Sequence, residues 1–204
     1  MFKKFLLVFF LIVLYMLFWF AIIFFSGTFI LIPFVIIGFI PYMEFATKKA
    51  FHFKGEGNPI SEEELRSLIL EINNCDVPVI IHSKENQLIA TWRYVDAKWW
   101  EIFAKAGLTE VYELHMKFNN KKKTVKLIDI TKSVKWNAGP SEVSLQSSFF
   151  RGIIFEVKVG KQWGIKENFT LGKIYDYQYS SAEIKNPIMN SILQSGWDVQ
   201  FASW

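Results

Sequence analysis

The chain has 204 residues, one cysteine and a formal net charge of +4, from 23 basic and 19 acidic side chains. Beyond residue 43 the basic and acidic side chains number 21 and 19, so this part is almost neutral and gives no support to nucleic-acid binding. The lone cysteine, Cys75, excludes a disulfide within the chain, as is usual in a reducing cytoplasm.

Two apolar runs come first, with no charged side chain between Phe5 and Met43. The run from Phe5 to Phe25 has the roughly 20 residues that a helix needs to cross a bilayer. Ser26-Gly27-Thr28 interrupts it, and a second run from Phe29 to Ala46 is long enough to cross in spite of its prolines. We therefore predict a transmembrane helical hairpin over residues 1–49.

Lysines flank this predicted hairpin: Lys3 and Lys4 precede it, and Lys48 and Lys49 follow it. The positive-inside tendency places both ends in the cytoplasm, with these four lysines at the membrane surface. The prediction is an integral, multi-pass protein of the cell or inner membrane. Its partner is the lipid bilayer, and its soluble domain is cytoplasmic.

Two other interpretations of the apolar runs stay open. The first run can be a cleaved signal peptide, although it is long for one and no small-residue cleavage site follows it. The second run can be a re-entrant or interfacial segment, because its prolines and glycine weaken the helix. That alternative would place the soluble domain on the other side of the membrane.

A linker is predicted over residues 50–59, before a cytoplasmic α+β domain over residues 60–204. Ser61-Glu-Glu-Glu64 matches a capping box, and the helix after it is expected to end near Asn73. Asn186 and Pro187 are expected to begin a last helix that Gly196 ends.

Between these helices the chain alternates apolar and polar residues, as strands with one buried face do. The predicted strands are Val77–His82, Gln87–Val95, Thr109–Phe118, Thr124–Val134, Leu145–Phe150, Gly152–Val159, Ile174–Tyr179 and a short closing strand at Trp197–Phe201. A short helix is predicted over residues 97–106. The fold class is therefore α+β: an N-terminal two-helix transmembrane hairpin, then a soluble domain of mostly antiparallel strands with a helix at each end and a short inserted helix.

Aromatic side chains give the main indication of a binding site. Trp92, Tyr94, Trp99, Trp100 and Phe103 lie on a predicted strand and on the short helix after it. Such rings either pack in the core or line an apolar pocket or a partner groove, because their polar edges suit both.

Neither a catalytic site nor a metal site is predicted. The histidines lack zinc-ligand spacing, and the serines at 147 and 148 lack a nucleophile-elbow pattern. Asp129, the one acid on an otherwise apolar strand, is interpreted as exposed. Catalysis would require His82 or His115 to meet Asp129 or another acid in a cleft. The lysines at 121–123 are interpreted as a solvated hairpin tip, with contact to anionic headgroups as the alternative.

The predicted function is a membrane-anchored, non-enzymatic interaction or accessory subunit that docks a protein partner of a membrane complex through its aromatic-rich domain. The alternative is a membrane-tethered domain that binds a lipid or another apolar ligand. It requires an enclosed apolar cavity, larger than about 300 Å³ and lined by some of the five aromatic side chains just named. We expect no cofactor, and no nucleic acid as partner.

Overall fold

The structure is a computed structural model that describes residues 2–75, 77–94, 110–135, 144–152 and 181–202. The chain divides into two compact units, Met1–His52 and Phe53–Trp204. The described helices and strands are α1 (Phe2–Ser26), α2 (Ile32–Ala50), β1 (His52–Phe53), α3 (Glu62–Leu70), β2 (Val79–Lys84), β3 (Gln87–Trp92), β4 (Glu110–Asn119), β5 (Thr124–Lys135), β6 (Ser144–Gly152), α4 (Ser181–Gln194) and β7 (Asp198–Phe201).

Some predictions lie outside the described residues: the short helix over 97–106, the strand over 174–179 and most of the strand over 152–159. The predicted domain boundaries at residues 49 and 59 stay predictions.

Both apolar runs form helices, as predicted, and both are long and apolar enough to cross a membrane. The most apolar stretch of each is 0% and 6% buried, so neither is the core helix of a globular unit. Large apolar side chains on both helices are exposed, Phe25 to 86%. Pro41 lies inside α2 without ending it.

Two tyrosines join α1 and α2 reciprocally. The Tyr15 hydroxyl donates to the Val35 carbonyl, and the Tyr42 hydroxyl donates to the Leu11 carbonyl, both at 2.7 Å. The two rings stack with centroids 4.6 Å apart. Leu11 precedes Tyr15 on α1, whereas its partner Tyr42 follows Val35 on α2, so the two helices are antiparallel.

The second unit holds a mixed sheet with the strand order β1-β7-β5-β4-β3-β2, and β6 pairs with β5 as well. The hairpins β2–β3 and β4–β5 are antiparallel, as the alternation predicted. The closing strand β7 instead runs parallel to β5, from Thr124↔Asp198 to Leu127↔Phe201. A parallel neighbour requires a crossover, and α4 lies in the connection that leads into β7.

The apolar core includes one face of this sheet and the helices α3 and α4. The buried apolar residues of the two helices are Leu65, Ile69, Ile184, Ile188, Met189, Ile192 and Leu193. The predicted capping box of α3 is confirmed: the Ser61 hydroxyl accepts from the Glu64 amide, while the Glu64 carboxylate accepts from the Ser61 amide.

The helix α4 begins at Ser181, so the prediction that Asn186 and Pro187 begin it was wrong. Pro187 lies inside the helix and is buried, so tertiary packing overrides the local start signal. At the other end, Gly196 has φ +78° and Trp197 donates to the Ile192 carbonyl, which confirms the predicted glycine stop.

The segment that follows β1 is hydrogen-bonded to the C-terminal end of α4 and the turn after it. Glu56 donates to the Leu193 carbonyl, and the Trp197 indole donates to the Ile60 carbonyl. Gly55 and Gly196 pack so closely that a Cβ on either would come within 2.4 to 2.5 Å of the other segment's backbone.

Candidate ligand-binding cleft

A cleft of about 490 Å³ lies on the second face of the sheet. Its described lining comes from four neighbouring strands and the turn after β3: Ile80, His82, Lys84, Ile89, Thr91, Trp92, Arg93, Tyr94, Glu113, His115 and Lys132. The lining combines aliphatic and aromatic surface with two lysines, one arginine and one carboxylate, and ligand pockets commonly combine apolar surface with a few polar groups.

The strand register brings these side chains together. Ile80 opposes Thr91, which opposes Glu113, so these three residues form one row across β2, β3 and β4. His82 and His115 both oppose Ile89 and form the adjacent row. Directly opposed residues point to the same face of a sheet, so both rows face the cleft.

Glu113 is the centre of the polar network. Its carboxylate accepts from Lys132 Nζ at 2.5 Å and contacts His115 Nε2 at 2.9 Å. Burial acts to raise the pKa of the Glu113 carboxyl, but the hydrogen bonds and charges of His115 and Lys132 together outweigh it, and its pKa lies below the usual value. Glu113 is therefore ionised at neutral pH although it is only 7% exposed.

The ionised carboxylate fixes the tautomer of His115. Because Glu113 can only accept, the Nε2 of His115 carries the hydrogen, and in the neutral ring Nδ1 is an acceptor. This is the geometry of a histidine oriented by an acid, one part of a general-base arrangement. The condition that sequence reasoning set for catalysis, a histidine meeting an acid in a cleft, is met by His115 and Glu113.

Arg93 and Tyr94 lie directly after β3, in the turn that follows it. The Arg93 guanidinium donates to the carbonyls of Val79 at 3.0 Å and of Asn73 at 3.2 Å, which fixes its place at the cleft. Burial, and to a lesser degree the charge of Glu113, raise the pKa of the Tyr94 hydroxyl, so this group is a neutral donor at physiological pH.

Two of the five predicted aromatic site residues line the cleft. Trp92 borders the cleft, but it is 2% exposed and opposes the core residue Val79, so its ring lies on the core face of the sheet. Tyr94 is half-buried and lines the cleft. Trp99, Trp100 and Phe103 lie outside the described residues. Whether these side chains bind a ligand stays a prediction.

The predicted membrane-surface lysines belong to the first unit. Lys4 donates to the carbonyls of Ala50 at 2.7 Å and His52 at 2.8 Å, at the C-terminal end of α2, where a cation is favourable. Lys48 pairs with Glu44, Lys49 lies 5.9 Å from the Phe45 ring centre, and Lys3 is exposed. Their role at a membrane surface stays a prediction.

The interpretation of Asp129 as exposed was wrong. Asp129 is 1% exposed and faces the core, where it accepts from Lys185 Nζ at 2.6 Å and from the Tyr112 hydroxyl at 2.5 Å. Its charge is paired, which allows it to be buried.

Sequence reasoning also missed Glu113 and Lys132 as cleft residues. The signal was the spacing of Glu113 and His115 two apart on one strand face, with Lys132 on the paired strand. Among the described residues no group of three or more His, Cys, Asp or Glu side chains is placed to hold a metal ion.

Comparison of this chain with known protein families, with curated proteins and with solved structures found no match.

Proposed function

We propose that this chain is a membrane-anchored, non-enzymatic protein whose sheet domain binds an anionic amphiphile in the cleft. The anchor is the α1–α2 pair, a multi-pass hairpin with both ends in the cytoplasm. Its support is the exposed apolar surface of both helices, which a bilayer would cover, and the lysines at both ends.

The observation that carries the binding proposal is the cleft itself. Its volume, about 490 Å³, lies within the usual range of ligand sites. Ile80, Ile89 and Tyr94 line it while remaining half-buried, so apolar surface is available to a ligand. Covering such surface is worth roughly 25 cal/mol per Å².

The charges favour an anionic head group. Lys84, Arg93 and Lys132 line the cleft and outnumber its one described carboxylate, Glu113. Glu113 already neutralises Lys132, and Arg93 is held by backbone carbonyls, which leave its charge uncompensated among the described residues. A ligand with a carboxylate or phosphate at one end and an alkyl chain at the other matches this lining.

The test is photo-crosslinking of the full chain in phosphatidylcholine nanodiscs. The probes are a diazirine-bearing long-chain carboxylate and the corresponding alcohol, with crosslinked residues located by mass spectrometry. We expect the carboxylate to label the cleft strands β2 and β3 more than the alcohol does, and an unlabelled carboxylate to compete. Labelling confined to α1 and α2 would overturn the proposal.

A matched pair of variants sharpens this test. Ile89→Trp fills the cleft and should abolish labelling of β2 and β3. Ser83→Trp adds the same side chain to an exposed position of the same hairpin that does not line the cleft, and should leave labelling unchanged. Equal labelling of the two variants would contradict the cleft as the site.

One observation favours a second candidate function. The contact between His115 and Glu113 in the cleft suits proton-transfer chemistry, such as hydrolysis of a bound ester. Release of acid from a long-chain ester by the wild-type chain, lost in His115→Asn, would replace the non-enzymatic proposal.

The accessory-subunit function remains a proposal of its own, and pull-down of the natively expressed chain in mild detergent tests it. Repeated recovery of the same protein partner would support this function, and repeated recovery of the chain alone would count against it.

A further inference from the structure

One end of the sheet carries a cluster of lysines, of which Lys84 alone also lines the cleft. Gln87 opposes Lys117, so the turn between β2 and β3 and the turn between β4 and β5 lie at the same end. We call this the basic end and define it by these residues: Lys84, Lys117, Lys121, Lys122 and Lys126.

The basic end is built by register. Lys84 opposes Gln87, Gln87 opposes Lys117, and Lys117 opposes Lys126, so three lysines share one row and one face. Lys121 and Lys122 extend the cluster onto the turn beyond β4. Neighbouring strands lie about 4.8 Å apart, so these ammonium groups can act together on one flat partner.

None of these five ammonium groups makes a hydrogen bond or ion pair with another described residue. By contrast, the next lysine along the chain, Lys123, donates to Asn120 Oδ1 at 2.6 Å and lies 5.0 Å from the Trp197 ring centre. Glu85 is the one acid in the turn between β2 and β3.

The direct pairing of Lys117 with Lys126 is unfavourable by itself, because like charges opposite each other destabilise a sheet. A partner that supplies negative charge would therefore relieve the repulsion within this row of lysines.

We propose that the basic end is a docking surface for anionic lipid headgroups, and that it holds the sheet domain against the bilayer that anchors the chain. This inference rests on the proposed anchor, and it does not require a ligand in the cleft, with which the basic end shares only Lys84. Lysines act as point charges and suit a diffuse anionic surface, whereas arginine is favoured where phosphates are recognised individually. Each lysine near such a surface favours contact about fivefold.

The experiment is hydrogen exchange of the full chain in two kinds of nanodisc, phosphatidylcholine alone and phosphatidylcholine with phosphatidylglycerol. We expect the amides of the turn Asn120–Lys122 to exchange more slowly in the phosphatidylglycerol discs, and the difference to vanish in high salt. Equal exchange in both discs would overturn the proposal.

Charge variants separate the surface from the fold. The triple variant Lys117→Gln, Lys122→Gln, Lys126→Gln should lose the difference, whereas the corresponding arginine variant should keep it. Unchanged exchange of the β3 core amides shows that both variants fold. Slow exchange that persists in the glutamine variant would overturn the proposal. The proposal would also be overturned if the amides were slowed by an added oligonucleotide and not by phosphatidylglycerol. Failure of the proposed anchor is distinct, because the chain would then enter neither kind of disc.

Discussion

Lys185 Nζ lies 2.6 Å from Asp129 Oδ2 in the core of the sheet domain, and the two side chains are 0% and 2% exposed. The ammonium group also lies 5.1 Å from the Phe201 ring centre. The pair links α4 to β5 across 56 positions of sequence. Since a buried charge is tolerated only when it is paired, each residue requires the other.

We predict that Lys185→Met destabilises the domain by about 3–5 kcal/mol, because it leaves the Asp129 carboxylate buried without its cation. Adding Asp129→Leu should recover a large part of that loss. Denaturant unfolding of the full chain in detergent measures both. Lys121→Met, at an exposed turn position, is the control and should change the free energy of unfolding by less than about 0.5 kcal/mol. Equal losses in the two lysine variants would contradict a paired role.

The cleft network predicts an acid-sensitive contribution to stability. The pKa of Glu113 is lower in the folded chain than the ordinary value of 4.5, so its contribution is complete above that value and is lost as the pH falls through the folded pKa. The Glu113→Gln variant should therefore be less stable than the wild-type chain at neutral pH, and its free energy of unfolding should fall less on acidification. Unfolding curves at neutral and acid pH measure both free energies. An equal loss of stability on acidification in the wild-type chain and the variant would refute the prediction.

The tyrosine pair predicts how the two helices associate. Tyr15→Phe and Tyr42→Phe each remove one interhelical hydrogen bond, and we expect each to cost about 0.6–2 kcal/mol. Thermal unfolding in detergent is the measurement. Phe24→Leu, at a side chain that is 71% exposed, is the control and should leave the transition unchanged.

Two glycines separate backbone strain from crowding. Gly57 and Gly196 both have positive φ, +79° and +78°, but a Cβ on Gly57 meets nothing within 4 Å, whereas a Cβ on Gly196 would lie 2.5 Å from Asn58. Both substitutions to alanine should cost about 1–2 kcal/mol for the left-handed backbone, and Gly196→Ala should cost clearly more. Unfolding of the two variants tests this, and equal costs would show that the close approach adds nothing.

Local patterns predicted much of this fold. The apolar runs gave α1 and α2, the Ser61 and Glu64 spacing gave the start of α3, and alternation gave the hairpins β2–β3 and β4–β5. Each of these depends on residues near one another in sequence, where helix caps and strand periodicity act.

Long-range contacts explain what sequence reasoning missed. Asp129 looked like a surface acid because its cation, Lys185, comes from a distant helix. The closing strand β7 was expected, but its parallel pairing with β5 depends on where α4 crosses. Of the eleven described lining residues of the cleft, only Trp92 and Tyr94 were predicted, from the run of aromatic residues. Glu113 meets Lys132 only through the β4–β5 register, which no local pattern shows.

The central claim, a hairpin anchor that keeps the sheet domain in the cytoplasm, is tested most directly by topology mapping. One reporter is fused after Trp204 and another is inserted at Gly27, between α1 and α2. We predict cytoplasmic activity for the first reporter and activity on the opposite side of the membrane for the second. A reporter after Trp204 that is active outside the cytoplasm, or a mature chain that lacks α1, would contradict the claim.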